Sequence, residues 1–557
     1  MASAFNVPDE FVRGFFTSGQ TLLQAFSGTG GSGLAKVQAH YWEQQMALWM
    51  GMLASAGGQA REPVVAPERG DRRFSAEGWR DNPWYSWLKQ TYLLNSRLLG
   101  DMIDSAELDE KQKHKLRFYA RQFIDSMSPA NFAATNPEAM KSAIESQGES
   151  LRAGFANLLG DMKNGRIAIT DETAFEVGRN VAVSKGSVVF ENALFQLIQY
   201  APLSDEVTER PLLILPPCIN KFYILDLQPE NSFVRFAGEQ GMTVFLVSWR
   251  NPDAELAGTT WEDYLESGAM KAIEVARAIS GADKINALGW CVGGTILSSA
   301  LAVMRSRGDE SVASLTLLTT MLDFREPGDL GVFIDEQGVA QREQTIGGGG
   351  IYPGKELGFV FQTLRANDLI WPYVVSNYLK GKSPPAFDLL YWNADATNLP
   401  GPMYAWYLRN TYLENNLCVP NRLTLCDTSI DLGRIDMPSY VLATQEDHIV
   451  PWRSAYRSTR LLGGATQFVL GASGHIAGVI NPASKNKRSY WIDGTLGDDP
   501  QQWLATAKPV EGSWWTHWMQ WLKPLAGKPV AARKRLGNTK YKPIEPAPGR
   551  YVKARAD

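Results

Sequence analysis

Two periodicities divide the chain. Up to about residue 175, apolar positions recur every three to four residues, as in 37–53 (VQAHYWEQQMALWMGML), and this spacing predicts amphipathic helices. A glycine-rich break at 27–33 (SGTGGSG) predicts a flexible segment beside that helix. The polar, proline-containing stretch 61–73 leads into an aromatic block at 74–88 and further helical stretches to about Leu159. A helical N-terminal domain over 1–175 is expected. From about residue 183, short β-rich runs at 183–189, 211–215, 243–249, 284–288, 314–319, 440–443 and 467–470 alternate with helical ones. That alternation predicts an α/β fold with a parallel sheet, in a second domain over 176–557.

Between 323 and 437 the alternation lapses into a segment rich in Gly, Trp, Tyr and Pro, including 347–350 (GGGG) and 369–377 (LIWPYVVSN). It is too long for one loop and predicts an inserted cap or lid over about 325–437, with an ordinary helical subdomain as the alternative. Residues 521–557 carry ten Lys or Arg against two acids. A basic tail over about 523–557 would suit an anionic surface or form only a solvated extension.

Composition narrows the function. A length of 557 residues excludes a small binding module, and 44% hydrophobic residues with 18 tryptophans exclude global disorder. Lys plus Arg at 55 against Asp plus Glu at 59 leaves no basic field, so nucleic acid is not an expected partner. Four cysteines without a CxxC pair and five histidines give neither a disulfide framework nor a finger-type zinc site, and the cysteines read as cytosolic thiols. No signal peptide is read at the start, and no run of 18 apolar residues predicts a transmembrane segment. No phosphate loop, dinucleotide fingerprint or metal cluster is present, so neither a cofactor nor a metal is expected.

The chemistry sits in residues 284–299, KINALGWCVGGTILSS. A short apolar strand runs through Gly289, Trp290, Cys291, Val292 and Gly293 into a helix-compatible stretch, a nucleophile elbow with cysteine in the serine position. A buried structural cysteine is the alternative. The elbow demands an acid and then a histidine, each beyond a later strand. Asp447 follows the run 440–443, and His475 follows 467–470. Glu446 and Asp323 are rival acids; His448, directly after the acid, is the rival base and the better candidate for a bracing role. His475 would stabilise the Cys291 thiolate, and Asp447 would fix the ring tautomer. Oxyanion donors would be the backbone N–H groups of Val292 and of Cys218, the first available after Pro216 and Pro217, which have none. Cys218 as a second nucleophile lacks an elbow around it.

The strings 74–84 (FSAEGWRDNPW), 128–137 (SPANFAATNP), 216–230 (PPCINKFYILDLQPE), 247–252 (VSWRNP), 289–294 (GWCVGG), 368–371 (DLIW), 446–450 (EDHIV) and 473–482 (SGHIAGVINP) together resemble the signatures of the polyhydroxyalkanoate synthases. The wording is most similar to the class I, single-component enzymes. The resemblance implies an α/β-hydrolase fold and an acyltransferase that takes short-chain (R)-3-hydroxyacyl-CoA, such as 3-hydroxybutyryl-CoA, and loads the acyl group onto Cys291. It also implies release of CoA as a product and extension of a polyester. It further implies a homodimer, a cap that shifts to admit substrate, and a cytoplasmic enzyme at the surface of polymer granules, where granule-associated proteins are further candidate partners. Asp226, in YILDL, and Arg365, upstream of DLIW, match positions associated with the substrate path; a fold-stabilising Asp and a surface Arg are equally open readings. Two rivals remain. One is a cysteine thioesterase or intracellular polyester depolymerase that gives the acyl-enzyme to water, and the other is a non-catalytic granule scaffold.

Overall fold

The computed structural model describes residues 7–27, 32–56, 63–68 and 70–556. The expected flexible break at 27–33 lies mostly outside the described residues. By contact, the chain forms two units: residues 1–171 with 359–386, and residues 172–358 with 387–557.

The first unit is helical. Helices α1 (Asp9–Ser27), α2 (Ser32–Ala56), α3 (Pro83–Ser105), α4 (Glu110–Ser126) and α5 (Glu149–Asn164) carry most of it. Local chemistry sets their starts. Asn82 caps α3 by accepting from the N–H groups of Trp84 and Tyr85, with Pro83 at the first helical position, and Asp109 and Gln112 form a capping box on α4. Arg73 is held by Asp71 at 2.9 Å and Asp125 at 3.0 Å, so its desolvated charge is matched by two carboxylates. Residues 359–386 join this unit because α5 offers them a close seat. A Cβ on Gly154 would stand 1.9 Å from the Tyr378 carbonyl oxygen, and the Tyr378 hydroxyl donates to Asp161 at 2.7 Å. The stretch expected as one insertion, 325–437, is thus divided between the two units. No helix among the described residues is long and apolar enough to cross a membrane.

The second unit is built on an eleven-stranded sheet. Its strands are β1 (Gly186–Glu191), β2 (Phe195–Tyr200), β3 (Leu212–Leu215), β4 (Val244–Trp249), β5 (Ile285–Trp290), β6 (Val312–Leu318), β7 (Ser439–Thr444), β8 (Thr466–Gly471), β9 (Ser489–Ile492), β10 (Lys508–Glu511) and β11 (Glu545–Pro546). In space they run β10-β9-β8-β7-β6-β5-β3-β4-β2-β1-β11. The six strands from β8 to β4 are parallel. Both flanks are antiparallel, so the sheet is mixed rather than wholly parallel as the alternation predicts. The central strands β3, β4, β5 and β7 are buried at every position, which is why they read as continuous apolar runs. Each fully buried Leu, Ile or Val there contributes about 1.5–3 kcal/mol.

The basic stretch 523–557 is not a solvated extension. Pro529–Ala531 pairs with Glu206–Thr208, β11 pairs with β1, and Val552 is buried. The sequence reading missed its anchors, two buried glutamines on β2. Gln199 Oε1 accepts from the Gly537 N–H at 2.7 Å, and Gln196 Oε1 accepts from Arg550 and Tyr551, each at 3.2 Å. Several of its charges are paired within the unit: Arg550 with Glu191 and Glu545, and Arg555 with Glu172.

After β5 the chain turns sharply into helix α6 (Val292–Ser306), and the turn needs glycines. A Cβ on Gly289 would lie 2.4 Å from the Gly294 Cα; one on Gly293 would lie 2.5 Å from the Leu215 oxygen and 2.6 Å from the Pro216 oxygen. Gly293→Ala should therefore lower stability by about 1–3 kcal/mol through overpacking, read as a lower urea midpoint. An unchanged midpoint would mean that α6 does not approach the end of β3 this closely.

Candidate active site

Cys291 sits at the tip of that turn with φ +52° and ψ −129°, a backbone conformation that non-glycine residues avoid. The neighbouring strand end holds it there. The Cys291 N–H donates to the Leu318 carbonyl at 2.9 Å, and the Thr320 hydroxyl donates to the Cys291 carbonyl at 3.2 Å. Thr319, itself at φ +39°, accepts from the Trp290 indole N–H at 2.8 Å. These two threonines close the elbow from outside its own motif, and elbow spacing alone gave no signal for them.

Asp447 and His475 come from the loops after β7 and β8. Strands β7 and β8 pair in register from Ser439 with Thr466 to Thr444 with Gly471, so the two loops leave the sheet side by side. His475 Nδ1 and Asp447 Oδ2 are 2.7 Å apart. The carboxylate is fixed from behind, because its Oδ1 accepts from the N–H groups of Ile449 at 2.9 Å and Val450 at 2.8 Å. The His475 loop is fixed by indoles: Trp514 donates to the Gly478 carbonyl at 3.1 Å and Trp515 to that of Val479 at 2.9 Å.

His475 also lies near enough to Cys291 for the two to interact, so the three predicted residues come together. All three are buried, with Cys291 at 9%, Asp447 at 8% and His475 at 5% exposure, which strengthens the charge interactions among them. Burial alone would lower the His475 pKa, but Asp447, and then Cys291, outweigh it and push the imidazole up to about 10 from its ordinary 6.5. The arrangement therefore favours a protonated His475 ring, held by Asp447 and placed beside Cys291.

The remaining candidates are placed as follows. Val292 opens α6 directly after the nucleophile. Cys218 is buried in the loop after β3, where burial, with Cys291 adding to it, pushes its thiol up and keeps it protonated. Trp249 fixes that loop by donating from its indole to the Pro216 carbonyl at 2.9 Å. Asp226 is 2% exposed, and its Oδ1 accepts from the hydroxyls of Ser184 and Ser232, each at 2.6 Å, an arrangement that braces the fold. Arg365 belongs to the helical unit and pairs with Asp368. His448 is half-buried. Of the rival acids, Glu446 is exposed, while Asp323 is occupied by the Asn415 amide at 2.8 Å and the Arg325 N–H at 2.9 Å. The sequence reading missed Tyr407 and Tyr412, whose phenols are pushed up first by burial, with Cys291 among the nearby groups that add to it.

Residues 70–237 match the family model for the poly-beta-hydroxybutyrate polymerase (PhaC) N-terminus, and residues 211–482 match that for the alpha/beta hydrolase fold. The chain is 58% identical over 528 residues to the poly(3-hydroxyalkanoate) polymerase subunit PhaC of Cupriavidus necator, covering 94% of this chain and 89% of that protein. The chain belongs to the poly(3-hydroxyalkanoate) polymerase family. To the protein of the same name from Rhizobium meliloti it is 41% identical, covering 94% of this chain and 86% of that one. To the poly(3-hydroxyalkanoate) polymerase of Methylorubrum extorquens it is 42% identical, covering 92% and 85%. It is accordingly an enzyme, an acyltransferase on an α/β-hydrolase frame with a helical N-terminal part.

The raised His475 pKa has a consequence for stability. A group whose pKa is raised on folding stabilises fully below its unfolded value, here about 6.5, and that contribution is lost as pH climbs toward about 10. The stability advantage over His475→Gln in urea unfolding should be larger at about pH 6 than at about pH 9.5, and Asp447→Asn should remove most of that pH dependence. An advantage independent of pH would contradict the assigned contacts.

Proposed function

We propose that the enzyme polymerises short-chain (R)-3-hydroxyacyl-CoA, such as 3-hydroxybutyryl-CoA, into polyester through a thioester on Cys291, with release of CoA. The observation that carries this reading is the hydrogen-bonded His475–Asp447 pair beside Cys291, which sits on a glycine-flanked elbow in a chain of the polymerase family. The name of the N-terminal family model, a poly-beta-hydroxybutyrate polymerase, supports the four-carbon unit.

In the loading step the Cys291 thiolate attacks the thioester carbonyl, and the oxyanion is met by the N–H groups of Val292 and Cys218. The C–S bond to CoA breaks, and His475 passes its proton to the departing sulfur. Exchanging one thioester for another is nearly isoenergetic, so loading is reversible. Acylation also removes one of the groups that raises His475, which weakens the ring's hold on a proton. The ring can then accept the proton of a 3-hydroxyl as that oxygen attacks the acyl-cysteine. An ester forms, the Cys291 thiolate leaves, and the resting ion pair is restored. Asp447 holds the ring through both half-reactions. No cofactor is required, since CoA enters with the substrate and leaves as product.

Burial around Cys291 favours transfer to an alcohol over hydrolysis, because it limits competing water. A place at the granule surface in the cytoplasm, a homodimer and contact with granule-associated proteins belong to the same reading. Exposed apolar side chains on α2, Trp42, Met46, Trp49 and Met50, lie at helical spacing and suit an apolar polyester surface.

The test is to incubate the protein with (R)-3-hydroxybutyryl-CoA, follow free CoA with a thiol reagent and recover the acyl product. Insoluble polyester is expected, and Cys291→Ala should abolish it. CoA release with only soluble 3-hydroxybutyrate would make the protein a thioesterase instead.

A further inference from the structure

Lysines are rarely buried, and the mechanism above leaves one unused. Lys221, 3% exposed, lies in the loop 216–226 after β3, the loop that offers the Cys218 N–H. Its ammonium donates to the main-chain carbonyl of Ala554, more than 300 residues later in the chain. The Trp392 indole donates to the Lys221 carbonyl at 2.7 Å, and the Tyr223 hydroxyl donates to Asp395 at 2.9 Å.

The segment bearing Ala554 is itself tied down. Val552 is buried, and Arg555 reaches Glu172 and the Tyr391 hydroxyl, each at 3.0 Å. The Asn251 amide donates to the Arg555 carbonyl at 3.1 Å. A buried ammonium strongly needs acceptors, so a loop carrying one is drawn to wherever a fixed carbonyl stands. Burial lowers the Lys221 pKa and raises that of Asp395, while each opposes the other's shift, as expected for a desolvated pair.

We propose that residues 551–556 act as a latch which, through the Ala554 carbonyl on Lys221, positions the loop 216–226 so that its Cys218 N–H faces the oxyanion. Lys221 is thus a positioning residue: it touches neither substrate nor nucleophile. The proposal rests on Cys218 supplying an oxyanion donor.

The test compares the full chain, Lys221→Met, a chain ending at residue 550, and the two changes combined. Oxyanion donors act on the transition state and not on thiolate formation, so kcat for CoA release and alkylation of Cys291 by iodoacetamide separate the two. Lys221→Met should lower kcat at least about tenfold, with KM for (R)-3-hydroxybutyryl-CoA changed less than about threefold and the alkylation rate unchanged. The shortened chain should do the same, and adding Lys221→Met to it should cost little more, since both remove one interaction. Full kcat in Lys221→Met, losses that multiply, or alkylation falling together with kcat would each overturn the latch. Should the shortened chain fail to fold, Lys221→Met in the full chain decides. Polymer synthesis surviving in Cys291→Ala would instead overturn the cysteine mechanism itself.

Discussion

The backbone of Cys291 is held at φ +52°, in a region that costs about 1–3 kcal/mol and persists only where its surroundings enforce it. That enforcement organises the catalytic unit. The parallel centre of the sheet supplies two neighbours for β5: β3 on one side, whose end lies against Gly293, and β6 on the other, whose end bonds both main-chain polar groups of Cys291 through Leu318 and Thr320. Any larger side chain at Gly289, Gly293 or Gly294 would collide with main chain or with Thr320. The strain thus lifts the sulfur out of the sheet and opens the first N–H groups of α6 toward the same point.

Electrostatics completes what the turn begins. A buried imidazole would ordinarily be neutral; here a carboxylate fixed by two main-chain N–H groups on one side, with Cys291 on the other, reverses that preference. The raised His475 therefore favours holding a proton at rest, and under the proposed mechanism each half-reaction would move that proton between ring, CoA sulfur and hydroxyl. Cys218, still more deeply buried and without such a partner, is pushed up and stays protonated. Two cysteines in one unit are set apart by their surroundings alone.

Much of this was legible in the sequence because it is local. The glycines around Cys291 and the apolar runs before Asp447 and His475 state the elbow and the loop positions directly. What was hidden depends on partners distant in the chain. The antiparallel flanking strands β2, β9, β10 and β11 lack the alternation of the parallel core, and β11 is two residues long, with Glu545 held by Gln196 some 350 residues earlier. The basic stretch looked solvated because composition reports charge and not its pairing with Glu172, Glu191 and Glu545. Residues 359–386 joined the helical unit through Gly154, a glycine no local pattern singles out. Thr319 and Thr320 follow β6 and brace an elbow whose motif ends some 25 residues before them.

The central claim is that the acyl group passes through Cys291. Quenching the enzyme with acid within its first turnovers on (R)-3-hydroxybutyryl-CoA, then digesting it and weighing the peptides, tests that claim most directly. The account predicts one or more 3-hydroxybutyryl units on the peptide bearing Cys291 and none on that bearing Cys218. Acyl groups on Cys218, or CoA released with no acylated peptide at all, would contradict it.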